Sequence, residues 1–326
     1  MATCKKIIGK PAVTLLSAVV LFSAAALAIK PDVFIKSSLS GIKLWAVSVL
    51  PSLLPFFFLT ALMGKLGMIK WLSRLMEKPM RTLTGCGGAT AYAFIMSVMS
   101  GYPVGAKIIC DLRQNGIIDK AEATRASAFC STSGPLFIIG AVGVGMFGDK
   151  SVGYTIFLSH VLAALCTGVI FSFPRRKNNS HAFLPVTEKA DNMLYECVYS
   201  SVISVALVGG FICVFYCFAD IVSYFGLLRP LQFVLSPLFG SDISKGISEG
   251  LIECTRGCLS LSKCGLSTYS VAFCSLVISF GGLSALFQQI AFLKKAEVKT
   301  GVFISAKLIQ GLIAFFISIL FYNIFF

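Results

Sequence analysis

Apolar residues in this chain come in long unbroken runs, not in the alternating or three-to-four spacing of a water-soluble fold. The runs are 11–29, 42–64, 88–109, 126–148, 151–173, 198–222, 266–293 and 301–326. Most reach the roughly 20 residues that a helix needs to cross about 30 Å of hydrocarbon. Strands of an outer-membrane barrel alternate apolar and polar positions, so continuous runs exclude that class. The predicted fold is all-α, a polytopic transmembrane helical bundle.

Three of the runs are interrupted, and the interruptions are where chemistry is expected. In 88–109 stands Ser100-Gly101-Tyr102-Pro103-Val104-Gly105-Ala106-Lys107. Gly and Pro together stop a helix, and a lysine at mid-membrane costs about 2.5–3.5 kcal/mol on insertion scales. Backbone groups freed by a break must be satisfied by protein, water or a solute. In 126–148, Cys130-Ser131-Thr132-Ser133-Gly134-Pro135 brings three hydroxyls to a second break. In 266–293, Ser279-Phe280-Gly281-Gly282 makes a third, followed by Gln288 and Gln289. The candidate solute- or ion-binding residues are therefore Ser100, Gly101, Tyr102, Pro103, Lys107, Ser131, Ser133, Gly134, Pro135, Gly281, Gly282 and Gln288. A structural alternative stands beside each: hydroxyls and amides can equally satisfy broken backbone or link helices. The glycines of 140–148 read as close helix packing.

Charge orients the runs. The chain has 326 residues, 56% hydrophobic and 13% charged, a mean hydropathy of +0.86 and a formal net charge of +14. In a membrane protein such an excess belongs to cytoplasmic loops; with no soluble basic surface, nucleic acid is not an expected partner. Lys5, Lys6 and Lys10 put the N-terminus in the cytoplasm. The run 12–29, with Ala26-Leu27-Ala28 near its end, resembles a leader but is longer than a usual leader core, which favours an uncleaved first span over a cleaved one. Lys65, Lys70, Arg74, Lys78 and Arg81 also belong inside, as do Arg175, Arg176 and Lys177. An even number of crossings must then lie between 84 and 174, where three apolar runs are found. One of 88–109 and 126–148 enters and returns on the same side, and the sequence does not choose which. Lys30, Lys36 and Lys43 fall outside, against the scheme. The loop 241–263, with Glu249, Glu253 and Arg256, reads as a solvated external loop, with a dip into the membrane as the alternative.

A weak internal repeat follows. The span 51–67, an amphipathic stretch 68–83 and the break at Ser100–Pro103 are matched by 206–226, the stretch 227–239 and the break at Ser279–Gly282. Charge places the two copies in opposite orientation, the mark of inverted-repeat transporters. The stretch 68–83 reads as an interfacial helix, and Asp119 with Glu122 as a helix N-cap.

Enzyme chemistry is not expected. No paired catalytic carboxylates, nucleophile elbow or histidine relay is present, and His160 and His181 are isolated. Gly101-x-x-x-Gly105-x-Lys107 is too short for a phosphate loop and follows no strand. Twelve cysteines without a Cys-x-x-Cys pair read as small hydrophobes, with Cys254, Cys258 and Cys264 packing. No cofactor or metal is expected.

Four motifs carry a resemblance: Pro51-Ser-Leu-Leu-Pro55-Phe-Phe, Ser100-Gly-Tyr-Pro-Val-Gly-Ala-Lys107, Ser131-Thr-Ser-Gly-Pro-Leu-Phe-Ile-Ile-Gly140 and Phe280-Gly-Gly-Leu-Ser284. With them the chain resembles the YlbJ-type sporulation integral membrane proteins of endospore-forming bacteria. Those proteins carry the nucleoside-recognition gate domain, found also in concentrative nucleoside transporters and ferrous iron permeases. The resemblance implies a multi-pass cytoplasmic-membrane protein needed for sporulation, particularly for the spore cortex, without naming a solute. The expected organisation is a signal-anchor span (1–40), a first gate-like repeat (41–174), a cytoplasmic linker (175–197) and a second gate-like repeat (198–326). The expected function is a secondary transporter or flippase of a small polar solute or envelope precursor. The alternative is a non-transporting scaffold for spore-envelope assembly. Expected partners are the lipid bilayer, a small polar solute or ion, and other sporulation membrane proteins, with room for an oligomer.

Overall fold

The computed structural model describes residues 10–172 and 192–326; among the described residues there is no strand. His181, Arg175 and most of the 175–197 linker therefore lie outside the described residues. Helix α1 (Lys10–Ile29) meets α2 (Pro31–Leu44) at 110°. Pro31 forces this corner, since proline fits only the first turn of a helix. A π turn, π1 (Trp45–Val49), carries α2 into α3 (Leu50–Lys65). Gly67, at φ +73°, then turns the chain into α4 (Met68–Thr84).

After α4 come α5 (Gly88–Ser100), α6 (Val104–Gln114), α7 (Lys120–Ser127), a π-wound helix π2 (Leu136–Phe147) and α8 (Lys150–Ile170). The second half holds α9 (Met193–Tyr224), α10 (Arg229–Phe239), α11 (Ser241–Ile252), α12 (Cys254–Ser262), α13 (Thr268–Phe280), α14 (Gly282–Lys295) and α15 (Thr300–Phe325). Among the described residues, α8, α9, the α13–α14 pair and α15 are each long and apolar enough to cross a membrane. Ser17–Ile29 with Pro31–Val47, and Ser73–Thr84 with Gly88–Ser100, pass the same test as pairs bent by 110° and 95°.

The run 88–109 is the one that turns back. A β-carbon on Gly105 of α6 would lie 2.8 Å from the Ser97 side chain of α5, so the two helices fold against each other. The run 126–148 instead unwinds after α7 and resumes as π2. Gly143 of π2 packs on Gly153 of α8, where an added β-carbon would lie 2.6 Å from backbone, the close approach expected of the 140–148 glycines.

The segment 241–263 is not a solvated loop. It forms a second hairpin, α11–α12, with Gly257 packed on Gly250 and with Glu249 and Glu253 each 1% exposed. Parts therefore recur in order: apolar helix α3, amphipathic helix α4, hairpin α5–α6, broken helix α7–π2, apolar helix α8; then α9, α10, α11–α12, α13–α14, α15. The matching of breaks differs from the sequence expectation. Gly101–Pro103 corresponds to the Glu253 break, and Gly281–Gly282 to the unwound 128–135 segment.

Helices α4 and α10 leave apolar side chains uncovered. Phe233, Val234 and Leu238 of α10 and Trp71 and Leu75 of α4 are exposed, which suits helices lying at the membrane interface. Asp119 caps α7, its carboxylate accepting from Glu122 N at 2.6 Å, while the Glu122 carboxylate reaches across to accept from Gly87 N at 2.7 Å, at the start of α5. The core runs in two main clusters, one around Ile109, Phe129 and Phe303, the other around Ile138, Ile156, Val277 and Ile278.

Candidate functional site at the meeting of four helix breaks

Each break has a local cause. Helix α5 ends because Gly101 takes φ +85°, and a β-carbon there would lie 2.9 Å from Gly134 N in the second break. Helix α13 ends at Gly281 (φ +91°) and Gly282 (φ +68°), left-handed values that glycine adopts without strain. A β-carbon on Gly282 would lie 2.8 Å from Gly250 O and 3.1 Å from Cys254 N, so the third break sits directly on the α11–α12 tip. At that tip Glu253 is extended, and its carboxylate caps α12 by accepting from Arg256 N at 2.7 Å and Thr255 Oγ1 at 3.1 Å.

Hydrogen bonds then tie break to break. The Tyr102 hydroxyl donates to Ile278 O, and the Ser131 hydroxyl donates to Gln289 Oε1. Ser97 Oγ accepts from both Thr132 N (3.0 Å) and Thr132 Oγ1 (2.8 Å). His160, fully buried on α8, joins the second and third breaks. Its Nε2 accepts from Ser133 N at 2.8 Å, and its Nδ1 lies 2.7 Å from Ser279 Oγ. The acceptor role of Nε2 assigns the proton of the neutral ring to Nδ1, which then donates to Ser279. Lys307 on α15 is also fully buried; its Nζ donates to Ser131 O at 2.8 Å and Gln310 Oε1 at 2.9 Å and lies 5.6 Å from the Tyr102 ring centre.

Beside the breaks lies a cavity of about 50 Å³, its wall mainly apolar (Leu53, Phe137, Val208) with Tyr102, Ser133, Glu253 and Gln288 among the polar residues and Gly101 and Gly134 at the breaks. This is room for a few waters, an ion or a few-atom solute, far below the roughly 300–1,000 Å³ of ordinary small-molecule pockets. One turn further along α3 and α9 lies a wider opening of about 720 Å³, bordered by Thr60, Lys65, Tyr92, Lys107, Asp111 and Glu196. Lys65 and Glu196 form an ion pair there at 2.8 Å.

Most of the expected residues come together. Gly101, Tyr102, Ser133, Gly134 and Gln288 line the small cavity; Ser131 and Gly281 stand behind it, and Gly282 seats the second hairpin. Pro103 forms the first hairpin tip beside them, and Ser100 is buried with its hydroxyl unpartnered among the described residues. Two do not join. Pro135 opens π2, half-buried and outside the cavity lining. Lys107 is exposed and borders the wide opening instead, because the chain reverses at Gly101–Pro103 and α6 carries it away. Sequence reasoning missed Lys307 and Gln310 altogether, took His160 for a packing residue and left Glu253 in a loop. One signal was available: Lys307 is the only charged residue of α15, with Gln310 three positions on.

Two hairpins and two broken spans meeting inside one helical bundle define an all-α membrane protein of the gate type. Comparison with known proteins agrees. A family model described as Gate, nucleoside recognition, matches residues 46–150. The chain is 30% identical over 327 aligned residues to the sporulation integral membrane protein YlbJ of Bacillus subtilis (strain 168), covering 92% of this chain and 80% of that one, and it belongs to that family. Among solved structures it is similar to CNTnw in an inward-facing substrate-bound state (TM-score 0.58, 13% identity, 92% of this chain and 86% of that one). It is likewise similar to an engineered CNTnw variant in an outward-facing state (TM-score 0.58, 13% identity, 100% and 87%). At that identity the likeness is one of fold.

Proposed function

We propose that this protein is a secondary transporter of a small polar solute in the cytoplasmic membrane of sporulating cells, serving spore-envelope formation by alternating access around the four-break site. The observation that carries the reading is the convergence of all four interruptions around one small cavity. Anchors need no such arrangement, since each freed backbone group must be satisfied at mid-membrane. The fold is shared with a protein captured both inward- and outward-facing. With the basic face of α4 set against the inner leaflet, the N-terminus is cytoplasmic and the wide opening beside Lys65 faces the cytoplasm. The small cavity is then the closed solute site, and the layer of Leu53 and Phe57 between the two cavities is its inner door.

The competing reading is a scaffold acting through the basic inner surface. A Bacillus subtilis strain lacking its YlbJ relative and carrying this chain separates them by its yield of heat-resistant spores. Transport requires Gly101→Leu and Gly282→Leu to abolish spores while the protein stays in the membrane at normal level. Lys107→Ala, and together Arg74→Gln, Lys78→Gln and Arg81→Gln, leave the yield intact. The reverse pattern sinks the transporter reading and supports the scaffold.

A further inference from the structure

Lys307 reaches into the unwound part of the first broken helix, where its Nζ meets Ser131 O. Unwound backbone carbonyls at mid-membrane coordinate coupling ions in such proteins, and hard monovalent and divalent cations choose backbone and amide oxygens. Around Lys307 Nζ stand those ligands: Ser131 O from the unwound segment at 2.8 Å, Gln310 Oε1 at 2.9 Å and the face of Tyr102 at 5.6 Å. An ammonium has three donors, and two oxygens with one aromatic face account for them. Gln310 gives its carbonyl to the lysine while its own Nε2 stays buried without a partner among the described residues. Such an orientation fits an amide turned to serve a cation.

No carboxylate balances this charge. Among the described residues no Asp or Glu comes within 4.0 Å of Lys307, and Glu253 is occupied by the α12 cap. The charged and titratable groups around it are few. His160 faces it from α8, Tyr102 from the first hairpin tip and Cys254 from α12. Helix α13 contains no acidic or basic residue, α14 has only Lys294 and Lys295 at its far end, and Glu122 of α7 is bonded to Gly87 N.

We propose that Lys307 is a tethered cation: its amino group fills a monovalent-cation site formed by Ser131 O, Gln310 Oε1 and Tyr102, so the protein binds and requires no sodium there. Tyr102 also lines the solute cavity, so the tethered charge lies one ring away from the solute. The inference deepens the transporter reading. Its test reads cation binding by the purified full chain and needs no transport, so either can fail alone.

The experiment compares thermal unfolding of the detergent-solubilised chain in sodium chloride and in choline chloride at equal ionic strength. The wild type is expected to unfold at the same temperature in both. Lys307→Ala empties the site and leaves its oxygens, so about 0.3 M sodium is expected to raise its midpoint by about 2–4 °C over choline. Lys307→Met refills the space with an apolar chain and stays insensitive. Sodium stabilisation of the wild type overturns the proposal, as does a folded Lys307→Ala that ignores sodium. Should Lys307→Ala not fold, Lys307→Ser takes its place with the same two outcomes.

Discussion

Replacing Arg256 by Met tests whether the second hairpin is held by buried charge. The guanidinium bonds to Asp220, donates to Glu249 Oε1 at 2.9 Å and lies 4.9 Å from the Tyr216 ring centre. Its side chain is 12% exposed and that of Glu249 only 2%. Met keeps the stem over Tyr216 but leaves Glu249 with a single donor, Ser260 Oγ at 2.5 Å. Removing one partner of a buried pair costs about 3–5 kcal/mol, chiefly as the penalty of the orphaned charge. Asp220, 27% exposed at its side chain, is reached by water and adds little. If that division is right, a second change, Glu249→Gln, removes the orphan and returns about 1–3 kcal/mol. Thermal unfolding of the solubilised wild type, both single variants and the double variant measures the cycle. A double variant as unstable as the sum of the singles would refute the reasoning, because the hairpin would then be held by something other than this charge pair.

Two further changes probe the other contacts that fix the breaks. Gly105→Ala sets a β-carbon 1.9 Å from Cys130 O, a backbone atom with nowhere to go, and overpacking of that kind costs at least about 1–3 kcal/mol. Gly210→Ala, where nothing lies within 4 Å, is the control and shows no loss of unfolding temperature. His160→Phe leaves Ser133 N–H and the Ser279 hydroxyl unpartnered, at about 1–3 kcal/mol for each group. His160→Gln, whose amide can accept from one and donate to the other, recovers part of that loss in the same unfolding assay.

The spans were legible in the sequence because a lipid-facing helix needs nothing but continuous apolar length. The first hairpin was half-legible: Gly101 and Pro103 announce a break, but charge counting alone could not say whether the chain crosses or returns. The second hairpin was hidden because its burial depends on pairing. Glu249 and Arg256 look solvated until Asp220, 36 positions from Arg256, is brought to them by the fold. A hydropathy reading scores each residue alone and cannot see such a partner.

Lysine shows the same limit in both directions. Lys107 was singled out because a charge in an apolar run is costly, yet the reversal at Gly101–Pro103 takes it to an open cavity where the cost never arises. Lys307 does bear that burial, inside a helix with no break to flag it, and its acceptor Ser131 O is 176 positions distant. In each case the price of a buried charge is set by tertiary neighbours, not by the run that contains it.

The bonds at the site also bear on how such a bundle moves. Tyr102 to Ile278, Ser131 to Gln289, His160 to Ser279 and Lys307 to Ser131 all join the first repeat to the second. By contrast, Ser97 to Thr132 and the seat of Gly282 on Gly250 lie within one repeat. A typical buried hydrogen bond contributes a net 0.5–1.5 kcal/mol, so the four joining bonds together hold roughly 2–6 kcal/mol. Two-state proteins keep their conformations a few kcal/mol apart, and these bonds are of that size. The contacts inside each repeat keep its hairpin and broken span together as one body. Under the transporter reading, a solute entering beside Tyr102 and Gln288 competes for these polar groups at the joint between the repeats, where the apolar clusters around Phe129 and Phe303 and around Ile138 and Ile278 also pack across.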